Sequence, residues 1–194
     1  MAEDRIERRR KKRMTPAEAR QMLADADLIC SEDEVRVAVG RMAQEIAASV
    51  GDAFPMVLSV MGGAAVFTGN LLPLLDFPLE FAAIEVTRYR NTTQGRNIDW
   101  RLPPRDDVKG RTVLVIDDIL DQGVTLAAVR DRLQEIGAAR VYTAVFCEKD
   151  LGVEKPIRAD FTGVTVPDRY VFGFGMDAYG LWRNLPAIFA LKDK

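Results

Sequence analysis

Val113-Leu114-Val115-Ile116-Asp117-Asp118-Ile119-Leu120-Asp121-Gln122-Gly123-Val124-Thr125-Leu126 decides how this chain is read. A largely β-branched apolar run stops at two adjacent carboxylates, Asp117 and Asp118, and a third, Asp121, follows. Gln122, Gly123, Val124 and Thr125 then lead into a helical pattern. The run reads as a buried strand and the glycine-bearing stretch as a turn. The strand thus delivers acids to its carboxyl end, beside a helix amino terminus whose N–H groups and dipole favour phosphate. Ligands of open α/β sheets bind at that end of the strands. Acids that hold hydroxyls or a metal, next to a turn that holds phosphate, suit a phosphorylated sugar.

Outward from this stretch, strands alternate with helices. Thr15-Pro16-Ala17-Glu18 is a capping box with proline at the first helical position, and it predicts a short helix ending near Asp25. Ser31-Glu32-Asp33-Glu34 is a second capping box. It opens a longer helix whose apolar positions Val35, Val39, Met42, Ile46 and Val50 keep helical spacing. Residues 56–60 read as a strand broken by Gly62-Gly63, residues 64–75 as an apolar helix and residues 79–86 as the next strand. Residues 87–105 are polar and rich in Arg and Asn, long for a loop in a compact domain. Residues 112–116 form the predicted central strand and 124–136 a helix that stops at Gly137. Residues 141–147, 161–166 and 170–174 read as strands, followed by a small helical turn and a segment over 186–191. The expected fold class is α/β, a mostly parallel central sheet flanked by helices. The first helix and the 150–194 region are expected to form a small hood over the sheet's carboxyl edge. A basic arm over residues 1–14 precedes a single domain over 15–194.

Composition narrows the chemistry. The chain has 194 residues, 48% hydrophobic and 29% charged, enough for one domain with a sizeable core. Its formal charge of −2 points to neither nucleic acid nor membrane. There is no histidine, so Ser-His-Asp, Cys-His and His-ligated zinc chemistry are excluded, and acid–base work falls to Asp, Glu, Lys or Tyr. Two cysteines, Cys30 and Cys147, have no metal or disulfide spacing, which fits a reducing, cytoplasmic location. No bilayer-spanning stretch or signal peptide is expected. The arm carries Arg5, Arg8, Arg9, Arg10, Lys11, Lys12 and Arg13. It reads as a solvated tail or as a contact for nucleic acid or an acidic partner.

The segment quoted first resembles the phosphoribosyl-pyrophosphate (PRPP) loop of type I phosphoribosyltransferases: apolar strand, two acids, two apolar residues, Asp, then a turn with Gly and Thr. Asp117 to Asp121 also spells the Asp-Asp-x-x-Asp pattern of prenyl diphosphate synthases, but that pattern needs a long helix. A receiver domain also begins with an apolar strand and two acids, yet here about a hundred residues of patterned sequence come first. Further segments resemble the hypoxanthine-guanine branch, so the likeness extends from about Asp27 to Leu191. Ser59-Val60-Met61-Gly62-Gly63-Ala64 is similar to the pyrophosphate loop, with Met61 where the family often carries Lys or Arg. The long polar loop with Arg88 and Tyr89 is similar to the family's lid. Val166-Pro167-Asp168-Arg169-Tyr170-Val171-Phe172-Gly173-Phe174-Gly175-Met176-Asp177 resembles the purine-binding segment.

The resemblance implies a role for each. Asp121, Gln122, Gly123, Val124 and Thr125 would hold the 5′-phosphate, and Asp117 and Asp118 the ribose hydroxyls. Met61, Gly62, Gly63 and Arg183 would hold pyrophosphate. Lys149 would donate to the purine O6 atom, Tyr170 stack on the base and the Val171 backbone read its edge. Asp121 would take the N7 proton, and Asp117, Asp118 and Asp177 would serve Mg²⁺. PRPP and hypoxanthine or guanine would be the substrates, IMP or GMP and pyrophosphate the products, in purine salvage. The family implies a homodimer or homotetramer, with no membrane or nucleic-acid partner. The alternative is a PRPP- or nucleotide-sensing regulator of the same fold whose basic arm binds nucleic acid.

Overall fold

The structure, a computed structural model, describes residues 14–88 and 98–192. The basic arm through Arg13 and the lid residue Tyr89 lie outside the described residues. Numbered within the described residues, the elements are α1 (Pro16–Asp25), β1 (Asp27–Cys30), α2 (Glu32–Val50), β2 (Met56–Met61), α3 (Ala65–Leu71), β3 (Glu80–Arg88) and β4 (Ile98–Leu102). Then follow β5 (Thr112–Leu120), α4 (Val124–Ile136), β6 (Arg140–Asp150), β7 (Phe161–Pro167), β8 (Val171–Phe172) and β9 (Ile188–Ala190).

Both capping boxes form. The Thr15 hydroxyl accepts from Glu18 N at 3.2 Å while the Glu18 carboxylate accepts from Thr15 N at 2.7 Å. Ser31 and Glu34 do the same at the head of α2. α2 buries the face its spacing predicts: Val35, Ala38, Val39, Met42, Ala43, Ile46 and Val50.

Six strands form the main sheet in the order β4-β3-β2-β5-β6-β7, parallel except for β4. Two-residue alternation along β5 splits it between two cores. Leu114 and Ile116 join α2 and α3 on one face, and Val113 and Val115 join Leu126, Val129 and Leu133 of α4 on the other. From β2 the chain winds outward to β3 and β4, then returns to β5 and winds the opposite way to β6 and β7. The topological switch point therefore lies between β2 and β5, where an open α/β sheet leaves a crevice at the strand ends.

A second sheet, β1-β9-β8, is antiparallel. Arg169 fastens it, donating to Asp27 at 2.7 Å and to the Leu191 carbonyl at 2.8 Å. Trp182 Nε1 donates to the Ala19 carbonyl at 3.2 Å and ties α1 to the same region. Phe174 plugs this region into the main core, its ring 4.6 Å from Phe146 and 6.4 Å from Phe67. Such aromatic pairs contribute about 0.5–1.5 kcal/mol each beyond area burial.

The elements depart from the sequence expectation in several places. β5 does not stop at Ile116 but continues through both acids to Leu120, paired with β6. Residues 87–105 are not all loop, because Ile98–Leu102 forms the antiparallel edge strand β4. α3 ends at Leu71, and Pro73 lies in a 3₁₀ turn that follows, since proline cannot continue the hydrogen-bond ladder. The strand over 161–166, expected in the hood, is instead the edge strand of the main sheet, parallel to β6. β1 was not foreseen, and β8 is only two residues long.

Candidate active site

The carboxyl end of β5 carries the acids into the crevice. Asp118 N donates to Asp117 Oδ1 at 3.0 Å. Burial pushes the Asp117 carboxyl well above the usual carboxylate range, and the adjacent Asp118 charge adds to it. Burial also raises Asp118, but its hydrogen bond with Asp117 and the Arg183 guanidinium work against the rise. Arg183, 4.0 Å from Asp118 Oδ2, is the nearest cation to this close pair of carboxyls among the described residues, and Asp117 stays raised beside it.

The loop after β2 lies directly against them. A Cβ placed on Gly63 would collide with the Asp118 carboxylate, so only glycine permits this approach. The peptide between Met61 and Gly62 is cis. On the other side, Gly123 turns the chain into α4 with φ of 78°. Gly123, the N-cap, offers no side chain to cap the helix, and a helix amino terminus favours an anion. The segment after β8 supplies Arg183, which donates to the Gly175 carbonyl at 2.5 Å, pairs with Asp177 and lies 4.0 Å from Asp118 Oδ2. Asp177 also accepts from Gly180 N at 2.7 Å.

These groups enclose a cavity of two adjoining lobes. One, of about 460 Å³, is lined by Met61, Gly62, Gly63, Asp117, Asp118, Asp121, Gly123, Thr125, Asp177 and Arg183. The other, of about 300 Å³, is lined by Lys149, Tyr170, Val171 and Met176. Asp118, Ile119, Asp121 and Asp177 border both. Lys149 is 14% exposed and lies between two carboxylates, 3.4 Å from Asp121 Oδ1 and 3.8 Å from Asp168 Oδ1. Tyr170 is half-exposed and stacks on Tyr179 with centroids 5.9 Å apart.

The structure therefore brings together most of the residues singled out in the sequence, divided between an anion-lined lobe and a smaller lobe with an aromatic wall. Gln122 and Val124 belong to the turn but line neither lobe, and Arg88 ends β3. Sequence reasoning assigned no role to Asp168, Ile119 or Glu85. Asp168 lay within the quoted purine-binding segment, and its position two residues before Tyr170 was the only signal available.

An acid-bearing switch point beside a glycine turn at a helix amino terminus is an arrangement by which α/β proteins hold phosphorylated ligands. The phosphoribosyl transferase domain model matches residues 31–179. The hypoxanthine-guanine phosphoribosyltransferase of Bacillus subtilis is 32% identical over 166 residues, 85% of this chain and 92% of its own length. The hypoxanthine-guanine-xanthine phosphoribosyltransferase of Tritrichomonas foetus is 31% identical over 167 residues, 86% of this chain and 91% of its own. A solved structure of a hypoxanthine-guanine-xanthine phosphoribosyltransferase superposes with a TM-score of 0.73 at 30% identity, covering 88% of this chain and 97% of its own. The chain belongs to the type I phosphoribosyltransferase family, in its hypoxanthine-guanine branch.

Proposed function

We propose that this protein transfers the phosphoribosyl group of PRPP to hypoxanthine or guanine, forming IMP or GMP and releasing pyrophosphate. The observation that carries this reading is the Lys149–Asp121 pair at 3.4 Å, on the border between the two lobes. O6 and N7 are neighbours on one edge of a 6-oxopurine. An ammonium that donates to O6 and a carboxylate that accepts the N7 proton must therefore stand side by side, as these two do.

The remaining roles are those the family resemblance implies. N–H groups of residues 121–125 and the Thr125 hydroxyl hold the 5′-phosphate. Asp117 and Asp118 hold the ribose hydroxyls. The backbone of Met61, Gly62 and Gly63 holds pyrophosphate, with Arg183 as the cation that Met61 does not supply. Tyr170 stacks on the base, and the Val171 backbone reads its edge. The base attacks the anomeric carbon through an oxocarbenium-like transition state as the bond to pyrophosphate breaks. Arg88 and Tyr89 belong to a lid that keeps water from PRPP.

Among the described residues, no group of three or more His, Cys, Asp or Glu is arranged to hold a metal by itself. That suits Mg²⁺, which is commonly shared between one or two carboxylates and substrate phosphates. Asp117 and Asp118 at one place and Asp177 at another would hold it together with substrate phosphates rather than as one cluster, and the close approach of the first two is the feature that fits a cation. When bound, Mg²⁺ neutralises charge on the departing pyrophosphate.

No described helix is long and apolar enough to cross a membrane, and Cys30 and Cys147 are buried free thiols. Both observations accord with a cytoplasmic enzyme, which we take to be a homodimer or homotetramer acting on small molecules, as the family resemblance implies. The test is turnover with hypoxanthine, guanine, xanthine or adenine, plus PRPP and Mg²⁺. Nucleotide formation is expected with hypoxanthine and guanine, and its absence with both would overturn the reading.

A further inference from the structure

The chain between β6 and β7 braces the site from behind. The Lys155 side chain is only 8% exposed. Its ammonium donates to the Lys149 carbonyl at 2.6 Å and the Leu120 carbonyl at 3.1 Å, and reaches Glu148 Oε1 at 3.4 Å. An ammonium has three donors, and each has an acceptor here. Glu148 is held in turn by the Thr162 hydroxyl at 3.2 Å.

The place of this bridge matters more than its strength. The β5–β6 ladder ends at the pair Leu120↔Glu148. One residue beyond that pair stand Asp121, just past the end of β5, and Lys149 on β6. The Lys155 ammonium joins the two strands where their own pairing runs out. The next two residues reach the phosphate turn. A Cβ on Gly123 would lie 3.2 Å from Ile157 Cγ2 and 3.3 Å from Pro156 Cδ. Ile157 is buried in the same core as Leu120 and Leu126. Lys155 lines neither lobe of the active site. It lines a separate cleft of about 610 Å³ that shares only Lys149 with them.

Building on the purine-transfer reading, we propose that Lys155 is a positioning residue that sets the spacing of Asp121 and Lys149 and so couples the phosphate lobe to the base lobe. Without the ammonium, two carbonyls and Glu148 Oε1 lose a donor in a part-buried place, and beyond the Leu120↔Glu148 pair the Lys149–Asp121 contact itself is left to hold the strand ends together. Misplacement of reacting groups by about 1 Å can cost about 10²-fold in rate.

The experiment compares wild type, Lys155→Met and Lys155→Arg well below each protein's measured unfolding midpoint. It records kcat and KM for guanine and adenine, KM for PRPP, and PRPP affinity by calorimetry. For Lys155→Met the expected result is a fall of about 10²-fold in guanine kcat/KM, a narrowed guanine-to-adenine ratio and weaker PRPP binding. Lys155→Arg keeps charge and donors but not the compact three-way geometry, so its ratio should fall between the two. A lowered midpoint with wild-type selectivity and wild-type PRPP affinity in Lys155→Met would reduce Lys155 to a structural residue and overturn the proposal. If Lys155→Met does not fold, wild-type constants in Lys155→Arg overturn it equally. If wild type itself forms no nucleotide from any purine, the purine-transfer reading fails by itself. The PRPP affinities of the variants then still decide the bridge, weakened for it and unchanged against it.

Discussion

Lys149 Nζ lies 3.4 Å from Asp121 Oδ1, close enough for each group to satisfy the charge of the other. A 6-oxopurine that enters the base lobe must part them or insert beside them. It offers an acceptor to the lysine and a proton to the aspartate on one edge. On the purine-transfer proposal these two charges are two separate substrate contacts, so each can be tested alone.

Asp121→Asn should keep PRPP binding yet lose turnover. The amide preserves size and the geometry of the turn but accepts a proton far less readily. A positioned acid–base group is worth about 10²–10⁴-fold in rate. The check is kcat at saturating PRPP and guanine, with PRPP affinity measured in parallel. A wild-type kcat in the variant would remove Asp121 from proton transfer.

Lys149→Gln should narrow discrimination between 6-oxopurines and adenine. The ammonium only donates, so it meets O6 well and opposes the 6-amino group of adenine. Sites built around such a buried hydrogen bond reject the mismatched analogue by about 10⁴–10⁵-fold. Glutamine offers a carbonyl as well as an amide, so guanine and hypoxanthine should lose efficiency while the adenine penalty shrinks. The measurement is kcat/KM for all three bases in both proteins. An unchanged guanine-to-adenine ratio would leave selectivity to the backbone near Val171.

Asp117→Asn should stabilise the ligand-free protein at neutral pH while weakening PRPP and Mg²⁺ binding. Burial and Asp118 raise the Asp117 pKa in the folded state above its unfolded value of about 3.9. The folded protein therefore binds more protons than the unfolded chain between those two values. The stability this proton provides is present below the unfolded pKa and lost as pH rises through the folded one. Asparagine removes that loss, and each kcal/mol relieved should raise the midpoint by about 2–4 °C in a chain of this size. Thermal scans of both proteins without metal, from pH 4 to pH 8, give the answer. The gain should be largest at the alkaline end, and a gain independent of pH, or a loss at pH 8, would contradict the account.

Much of this site was legible because its chemistry is local in the chain. Asp117, Asp118, Asp121 and Gly123 fall within seven residues, and both capping boxes close over three-residue spacings. Three things escaped for physical reasons. β5 carries its acids inside the strand, because the carboxyl end of a switch-point strand opens into a cavity and tolerates charge that the strand's middle would not. β4 alternates Ile98, Trp100 and Leu102 with Asp99 and Arg101. Two prolines follow at once, and the polar stretch before it masks five residues of period two. Lys155 meets Leu120 across 35 positions. No spacing encodes that contact, and by sequence Lys155 is one more charge in a polar connection. The strand at β7, expected in the hood, forms the edge of the main sheet instead, since a short strand mixing Phe161, Val164 and Val166 with polar or small residues reads the same at a sheet edge as in a small second layer.

Gly63→Ala tests whether the pyrophosphate loop must rest against the acids. Its Cβ would occupy the place of the Asp118 carboxylate, so either the loop or the acid has to move. Moving the loop displaces the backbone groups assigned to pyrophosphate. Moving the acid displaces the group proposed for ribose and Mg²⁺ and breaks its approach to Arg183. Both outcomes raise the KM for PRPP and lower kcat, by about 10²-fold for a 1 Å displacement. Gly62 is the internal control, because a Cβ there meets nothing within 4 Å. Gly62→Ala should therefore stay much closer to wild type. Steady-state kinetics with varied PRPP, beside thermal midpoints for both variants, separate lost chemistry from lost folding. Equal effects of the two alanines on the KM for PRPP would show that the contact between Gly63 and Asp118 does not govern the loop.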